Sequence, residues 1–277
     1  MLKEDLDIVT SCDENYNIFL KNFVINVHKI FSRKPYVYDL GLKKETRSNN
    51  NANFVNINLN EDYKKINEEN CIRAIHKPLC IIDHMQKTDR PFIFIDTDCL
   101  FIEDTYSFKE DISFTYRLYS EQTQRDFKKN GYINSGVLLF KNEKNKKEEN
   151  ISFLNKWLHR CTETEEITDQ KALSDILLEI NGSLVPGDKI YHNGLTFKIL
   201  PAEKYNDIKC QTGKIWHFKG AGRRPDKMTK YLRACTILHN ARGIVLVFTF
   251  LQRIAFAIKC LFRPSRYKYR YLEAQTK

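Results

Sequence analysis

The chain has 277 residues, of which 42% are hydrophobic, 12% aromatic and 29% charged, and this composition excludes a disordered chain, a collagen and a disulfide scaffold. Its net charge of +10 is unevenly placed, because residues 219–277 hold 14 basic and two acidic residues, whereas residues 1–218 hold 31 and 33. The positive charge is confined to the last fifth of the chain and lies beside an apolar run. This placement favours contact with a membrane surface over binding of nucleic acid through a distributed basic face.

The first 140 residues alternate short apolar runs with helical patterns, which is typical of α/β proteins with a parallel sheet. Short apolar runs predict strands, and apolar side chains at helical spacing predict helices. Strands are predicted at 6–10, 36–38, 54–57, 91–95 and 133–140, and helices at 16–30 and 71–85, the second beginning or kinking at Pro78.

The second half of the chain begins with a charged segment, KNEKNKKEEN at 141–150, which predicts a solvated loop. Helical spacing and apolar runs then predict the remaining elements. These are helices at 152–161 and 169–180 and strands at 195–200 and 214–218.

Eight cysteines are scattered along the chain without a C-x-x-C pair. The start MLKEDLDIV lacks the basic and apolar regions of a signal peptide. Both features predict buried free thiols in a reducing, cytoplasmic compartment.

Two carboxylates follow the apolar run PFIFI directly, in the triplet Asp96-Thr97-Asp98. The first therefore emerges at the carboxyl end of a buried strand, where open α/β sheets bind ligands. Two carboxylates one residue apart can turn toward a shared divalent ion, whose shell phosphate oxygens complete. A solvated acidic turn is the alternative explanation of the same triplet.

The segment WHFKGAGR at 216–223 ends an apolar run with a histidine, two glycines and several cations. A histidine in such a place is, taken alone, more often structural than a ligand. In this combination, however, the imidazole can complete a metal shell, the cations can neutralise phosphate and the glycines let the backbone approach a diphosphate.

Two further polar groups stand at the borders of predicted elements. Asn134-Ser135-Gly136 opens the strand at 133–140, where a turn or bulge is the alternative interpretation. Thr168 or Asp169 can cap the N-terminus of the helix predicted at 169–180, whereas Gln170 is not needed as a cap.

Together and in this order, these motifs resemble glycosyltransferase family 8, whose members are retaining nucleotide-sugar glycosyltransferases with the type A glycosyltransferase fold. The resemblance spans about residues 6–225 and implies an α/β fold with a Rossmann-like mixed, mostly parallel sheet flanked by helices. We predict a catalytic nucleotide-sugar transferase domain at 1–230 and a basic, amphipathic, membrane-associating helical tail at 231–277.

The resemblance implies roles for particular residues. Asp96, Asp98 and His217 match the ligands of a Mn²⁺ or Mg²⁺ ion, while Asp169 and Gln170 match the pair beside the anomeric carbon. The other donor contacts that it implies are Thr10, Ser11, Cys12, Asn15, Thr97, Asn134, Ser135, Lys219, Gly220 and Arg223. Lys77, with Arg73 as its rival, falls near the place of a basic residue over the donor phosphates.

The implied activity is that of a metal-dependent hexosyltransferase acting on a UDP-sugar. Gln170 is a poor nucleophile, which favours retention by same-face attack. A cell-envelope glycan or glycolipid, such as lipopolysaccharide, is the expected acceptor by analogy. Lys171, where many relatives have an acid, and Arg223, where a lysine is usual, are departures that bear on the donor sugar and the acceptor.

Three other classes of protein fit the sequence less well. A sugar-nucleotide nucleotidylyltransferase needs a glycine-rich basic loop after the first strand, and SCDENYN has neither glycine nor lysine. A nucleic-acid-binding protein would use the basic tail, but the apolar residues of the tail would then have no role in binding phosphates. A catalytically inactive, lectin-like homologue would not need the metal and Asp-Gln sets.

The apolar run at 243–262 is long enough for a transmembrane helix. Arg253 near its middle argues against one, at roughly 2.5–3.5 kcal/mol on insertion scales. We therefore predict an interfacial helix, peripheral on the inner face of an anionic membrane, with no nucleic-acid partner. A helix that packs its apolar face on the catalytic domain is the alternative. The polar stripe comprises Arg242, Thr249, Gln252, Arg253, Lys259 and Arg263.

Overall fold

The computed structural model describes residues 6–57, 76–104, 106, 109–117, 130–163 and 168–262, except the side chains of Arg223 and of residues 259–262. Its strands are β1 (Asp7–Cys12), β2 (Tyr36–Asp39), β3 (Asn53–Asn56), β4 (Phe92–Ile95), β5 (Cys99–Phe101), β6 (Ile112–Tyr116), β7 (Ile133–Phe140), β8 (Lys189–His192), β9 (Leu195–Leu200) and β10 (Ile215–His217). Its α-helices are α1 (Asn17–Phe31), α2 (Lys44–Ser48), α3 (His76–Lys87), α4 (Lys147–Thr162), α5 (Asp169–Asn181), α6 (Ala202–Tyr205) and α7 (Pro225–Phe262).

Eight strands form one sheet in the order β3-β2-β1-β4-β7-β6-β9-β8. β1 runs parallel to β2 and β4, β2 to β3, and β6 to β9, while β7 is antiparallel to both of its neighbours and β8 to β9. β5 and β10 form a separate antiparallel ribbon in which Cys99 lies opposite His217. This mixed, mostly parallel sheet flanked by helices confirms the predicted type A glycosyltransferase fold.

Both faces of the sheet are buried, because alternate residues of a strand point to opposite sides. In β4, Phe92 and Phe94 pack with the core cluster of Trp157, whereas Ile93 and Ile95 pack with the cluster on the α1 side. Such strands have apolar residues at every position, which explains why short continuous apolar runs predicted them correctly.

Several boundaries differ from the prediction. The segment at 141–150 is not wholly a solvated loop, since α4 begins at Lys147 and buries Asn150. Glu148 and Glu149 in the first turn of α4 favour a helix start there through the helix dipole. β5, β6 and β8 were not predicted, and residues 71–75 of the predicted second helix lie outside the described residues.

The helix α7 packs on the catalytic body with its first half. Tyr231 is fully buried, stacks edge-on against Phe19 and Phe218, and donates a hydrogen bond to the Phe19 carbonyl at 3.1 Å. Cys235 and Leu238 are buried in the same cluster. The predicted division after residue 230 therefore falls inside α7.

In the second half of α7, two arginines of the predicted polar stripe contact the rest of the fold. Arg242 donates a hydrogen bond to the Ile102 carbonyl at 3.3 Å. The Arg253 guanidinium donates to the Thr212 carbonyl at 2.7 Å and pairs with Glu103 at 2.5 Å. This part of the helix thus packs through polar side chains and also through Val245, which is buried in the same cluster as Tyr231.

The opposite side of α7 is apolar and exposed. By length and composition alone, the stretch Pro225–Ile258 could cross a membrane. In its second half, the large apolar side chains that are between 41% and 67% exposed form what we call the outer face: Ile244, Val247, Phe248, Phe250, Leu251, Ile254 and Ile258.

Candidate active site

The Asp96-Thr97-Asp98 turn joins β4 to the β5–β10 ribbon. The ribbon brings His217 beside Asp98, with Nε2 of the histidine 3.2 Å from Oδ1 of the carboxylate. The Phe218 amide also donates to the Asp98 carbonyl at 3.0 Å. Burial by itself raises the pKa of Asp98, but His217 and Lys77 more than offset it, so the pKa is lowered and the group is ionised.

Gly136 leaves the space in which the polar groups converge. A Cβ at this position would lie 2.7 Å from Cε1 of His217, and 2.9 Å from both Oδ1 of Asn134 and Oδ2 of Asp96. The same Asn134 oxygen accepts a hydrogen bond from the Gly136 amide at 2.8 Å. Asn134-Ser135-Gly136 therefore lies within β7 at an irregularity of the bulge kind, because Phe114 pairs with Leu138 while Thr115 pairs with Asn134. It places its side chains at the end of β4.

Lys77 ties three of the predicted motifs together. Its ammonium lies 2.8 Å from Oδ1 of Asp96 and 3.5 Å from Oδ2 of Asp169, and donates to Oγ of Ser135 at 3.1 Å. Burial lowers the pKa of Lys77, but the two carboxylates outweigh it, and the net shift is upward. Lys77 thus stays charged, whereas its rival Arg73 lies outside the described residues.

The helix α5 presents Asp169 to this cluster, and Gln170 follows it. Thr168 is the N-cap, accepting from the Lys171 amide at 3.2 Å, so the Asp169 carboxylate is not needed as a cap. Asp169 is 3% exposed, accepts from the Ser135 hydroxyl and receives the Trp157 indole N–H on its carbonyl at 2.9 Å. Oε1 of Gln170 is buried and has no hydrogen-bond partner among the described residues.

The end of β1 adjoins the carboxylate turn. Thr10 is fully buried, and its hydroxyl oxygen has no hydrogen-bond partner within the described residues. Burial and the neighbouring acids raise the pKa of the Cys12 thiol, which a hydrogen bond with Thr97 opposes only in part. Ser11 is half-buried, whereas Asn15 is exposed and no described contact joins it to the cluster.

The closing segment turns away from β10 at two predicted phosphate-binding residues. Gly220 has φ +75°, the left-handed region that favours glycine, and Lys227 donates to the Lys219 carbonyl at 2.7 Å. Lys219 is half-buried. The side chain of Arg223 lies outside the described residues, so the structure leaves its predicted role untested.

The predicted metal ligands fit a divalent ion of the Mn²⁺ or Mg²⁺ type. Asp96 and Asp98 supply the carboxylate oxygens that these ions prefer, and His217 adds an imidazole that Mn²⁺ accepts. The missing side chain at Gly136 leaves room between Asp96 and His217. The fit rests on this donor set and on that space.

Asn206 is a site residue that the sequence did not indicate. It is 1% exposed, and its Oδ1 lies 2.6 Å from Nδ1 of His217. An amide oxygen only accepts, so Nδ1 carries the proton and Nε2 is left to face Asp98. No local pattern marks this asparagine, because its role arises only when α6 and β10 pack together.

Asp207 holds the loop that leads into β10. Its carboxylate is buried and accepts five backbone N–H groups of the loop, between 2.8 and 3.1 Å away. The donors are the amides of Lys209, Cys210, Gln211, Thr212 and Gly213.

Replacing Asp207 with Asn is expected to lower the free energy of unfolding by about 3 kcal/mol, because an amide N–H₂ would face N–H donors in a buried place. Urea denaturation measures this loss. Asp188→Asn is the matched control, since Asp188 accepts a backbone N–H from Val185 alone among the described contacts. Equal losses in the two variants would contradict the role given to Asp207.

Comparisons with known proteins show the family of this chain. A family model described as nucleotide-diphospho-sugar transferase matches residues 44–241. No curated protein matches the chain in sequence. Among solved structures, the galactosyltransferase LgtC with donor and acceptor sugar analogues is similar at 18% identity and TM-score 0.42, over 61% of this chain and 70% of that one. The glycosyltransferase GlyE of Streptococcus pneumoniae TIGR4 is similar at 13% identity and TM-score 0.44, over 71% and 46%.

Proposed function

This chain belongs to the nucleotide-diphospho-sugar transferase family and is a glycosyltransferase, and we propose that it transfers a hexose from a UDP-sugar with Mn²⁺ or Mg²⁺ and retention of configuration. The proposed acceptor is a cell-envelope glycan or glycolipid of the lipopolysaccharide type. The observation that carries the proposal is the Lys77 contact with Asp96, Ser135 and Asp169, which joins the metal, sugar and Asp-Gln motifs.

Asp96, Asp98 and His217 would hold the divalent ion. When bound, such an ion neutralises the charge that develops on the departing nucleoside diphosphate. Lys77 adds a fixed positive charge beside Asp96. Together with Lys219 and Arg223, this charge would neutralise the negative charge of the phosphates, and Gly220 would let the backbone approach them. The end of β1, with Thr10, Ser11, Cys12 and Asn15, would contact base and ribose.

The sugar would lie against α5 and β7. Asn134, Ser135 and Asp169 would position its hydroxyls. The Asp169 carboxylate is already engaged by Ser135 and Lys77, which makes it a poor nucleophile. Gln170 has an unpaired buried oxygen, which would stabilise positive charge at the anomeric carbon. Same-face attack then breaks the bond to the diphosphate, forms the bond to the acceptor oxygen and passes the acceptor proton to the leaving phosphate.

A screen of nucleotide sugars tests this function. We expect one UDP-hexose to raise the melting temperature and to be slowly hydrolysed, each only with Mn²⁺ or Mg²⁺ present. ADP- and GDP-sugars serve as controls. Stabilisation by nucleotide sugars that excess chelator leaves unchanged would contradict the metal dependence.

We further propose that the outer face of α7 lies on the cytoplasmic side of an anionic membrane. Arg242 and Arg253 of the polar stripe are bound to the body, while the exposed side of the described helix is almost wholly apolar. The basic excess of residues 219–277 suits acidic headgroups. Because Arg253 is bound to Glu103 and Thr212, this helix lies along the body, which favours peripheral contact over a span.

Replacing Val247, Phe250 and Leu251 together with Gln is expected to weaken binding to anionic vesicles about a hundredfold, at roughly 1 kcal/mol per side chain. These residues are 57–60% exposed, so folding should not suffer. Ile18→Gln with Tyr191→Gln removes exposed apolar side chains elsewhere and is the control. Vesicle sedimentation measures the difference, and unchanged sedimentation of the triple variant would contradict membrane contact by this face.

A further inference from the structure

A thiol lies beside the proposed metal ligands. Cys99 is the first residue of β5, is fully buried, and lies opposite His217 in the β5–β10 ribbon. One oxygen of Asp98, the Cys99 sulfur and a ring nitrogen of His217 all lie within 4.8 Å of one another. These three groups form a compact set of potential ligands on the core side of the Asp96-Thr97-Asp98 turn.

The ligand chemistry of this set differs from that of the donor site. Carboxylates with phosphate oxygens suit Mn²⁺ and Mg²⁺, whereas a thiolate with an imidazole suits softer ions such as Zn²⁺ and Cd²⁺. The two sets share Asp98 and His217 and differ in the third ligand, which is Asp96 on one side and Cys99 on the other. An ion bound by one set therefore occupies Asp98 and His217, which the other set also needs, so the two sets cannot bind separate ions at the same time.

Two contacts favour the set with Cys99 when no donor is bound. Asp96 is held by Lys77 at 2.8 Å, which draws this carboxylate away from a shared ion. Asn206 holds the protonated Nδ1 of His217, so that Nε2 faces the Asp98 carboxylate at 3.2 Å. The ring nitrogen that can bind a metal is thereby turned toward Asp98.

We propose that Asp98, Cys99 and His217 form an inhibitory site for thiophilic divalent ions, which excludes Mn²⁺ from the donor site. Binding breaks the S–H bond of Cys99, forms a metal–sulfur bond and releases the proton to solvent. Divalent zinc binds nitrogen and sulfur ligands more tightly than manganese does, so low concentrations suffice. The inference rests on the proposed function for the Mn²⁺ site with which it shares two ligands.

Cadmium titration of the full chain tests the site without any activity assay, because cadmium–thiolate bonds absorb in the ultraviolet. We expect one equivalent of Cd²⁺ to produce this absorption and to displace Mn²⁺, whose free form electron paramagnetic resonance detects. In Cys99→Val the absorption should vanish and Cd²⁺ affinity should fall roughly a hundredfold, with Mn²⁺ affinity kept. Cys80→Val, which alters an equally buried cysteine on α3, should keep the absorption.

Absorption that is missing in the unaltered chain, or that persists in Cys99→Val, overturns the inference. Should Cys99→Val fold poorly, Cys99→Ser keeps the size of the side chain and must also lose the absorption. The transfer reaction with Mn²⁺ is measured separately. Transfer without a cadmium–thiolate signal defeats only this inference, and the signal without transfer defeats only the proposed function.

Discussion

Replacing Asp98 with Asn is expected to lower kcat/KM for sugar transfer about a thousandfold and to abolish metal-dependent donor binding. A bound ion is worth several kcal/mol to the leaving diphosphate, and each 1.4 kcal/mol is tenfold in rate. Asp98 is 7% exposed and its depressed pKa keeps it ionised. The amide has nearly the same shape, so the substitution removes a charge and not a packing contact.

Calorimetric Mn²⁺ and UDP titrations, together with the transfer rate, measure this effect. Asp89→Asn is the control, because Asp89 is an exposed carboxylate that pairs with Lys147 away from the cluster. The thermal transition of Asp98→Asn must stay cooperative for the comparison to hold. If Asp98→Asn retains a tenth of the transfer rate of the unaltered chain with excess chelator present, the metal assignment is wrong.

The parts of the fold that could be predicted are those with a local physical cause. β4 is apolar at every position, and β7 is apolar from Val137 to Phe140, because both faces of these strands are buried. The end of β4 and the Asp96-Thr97-Asp98 turn were therefore visible in the sequence. The start of α5 was visible for a similar reason, since Thr168 is a natural N-cap.

The site residues that sequence reasoning missed depend on distant contacts. Asn206 and His217 are eleven residues apart, and only the packing of α6 beside β10 makes them neighbours. Cys99 was predicted only as a buried thiol, because its proximity to His217 comes from the pairing of β5 with β10.

The orientation of α7 also depends on contacts between residues that are distant in the sequence. The polar stripe was predicted from helical spacing, but its partner Glu103 lies 150 residues away from Arg253 in the sequence. The structure turns Arg242 and Arg253 of this stripe inward and the outer face outward. A truncation after Asn240 would thus remove Arg242 and Arg253 together with the outer face, so substitutions confined to the outer face give the cleaner test of membrane contact.

Lys77→Met is expected to separate donor binding from metal binding. Methionine keeps the length of the side chain but leaves the Asp96 and Asp169 carboxylates without their cation. Affinity for the UDP-sugar and the transfer rate should each fall about a hundredfold, because a buried charge-assisted contact is worth roughly 3 kcal/mol. Mn²⁺ alone should bind up to about tenfold tighter, since Lys77 no longer competes for Asp96.

These opposite changes distinguish a phosphate-binding lysine from a merely structural one. Loss of a structural ion pair would lower stability and weaken both ligands together, whereas Lys77→Arg should restore much of the donor affinity by keeping the charge. Lys87→Met is the control, because Lys87 lies on the same helix and pairs only with Asp83 among the described contacts. If Mn²⁺ and UDP-sugar affinities fall in parallel in Lys77→Met, the lysine organises the site but does not hold the donor.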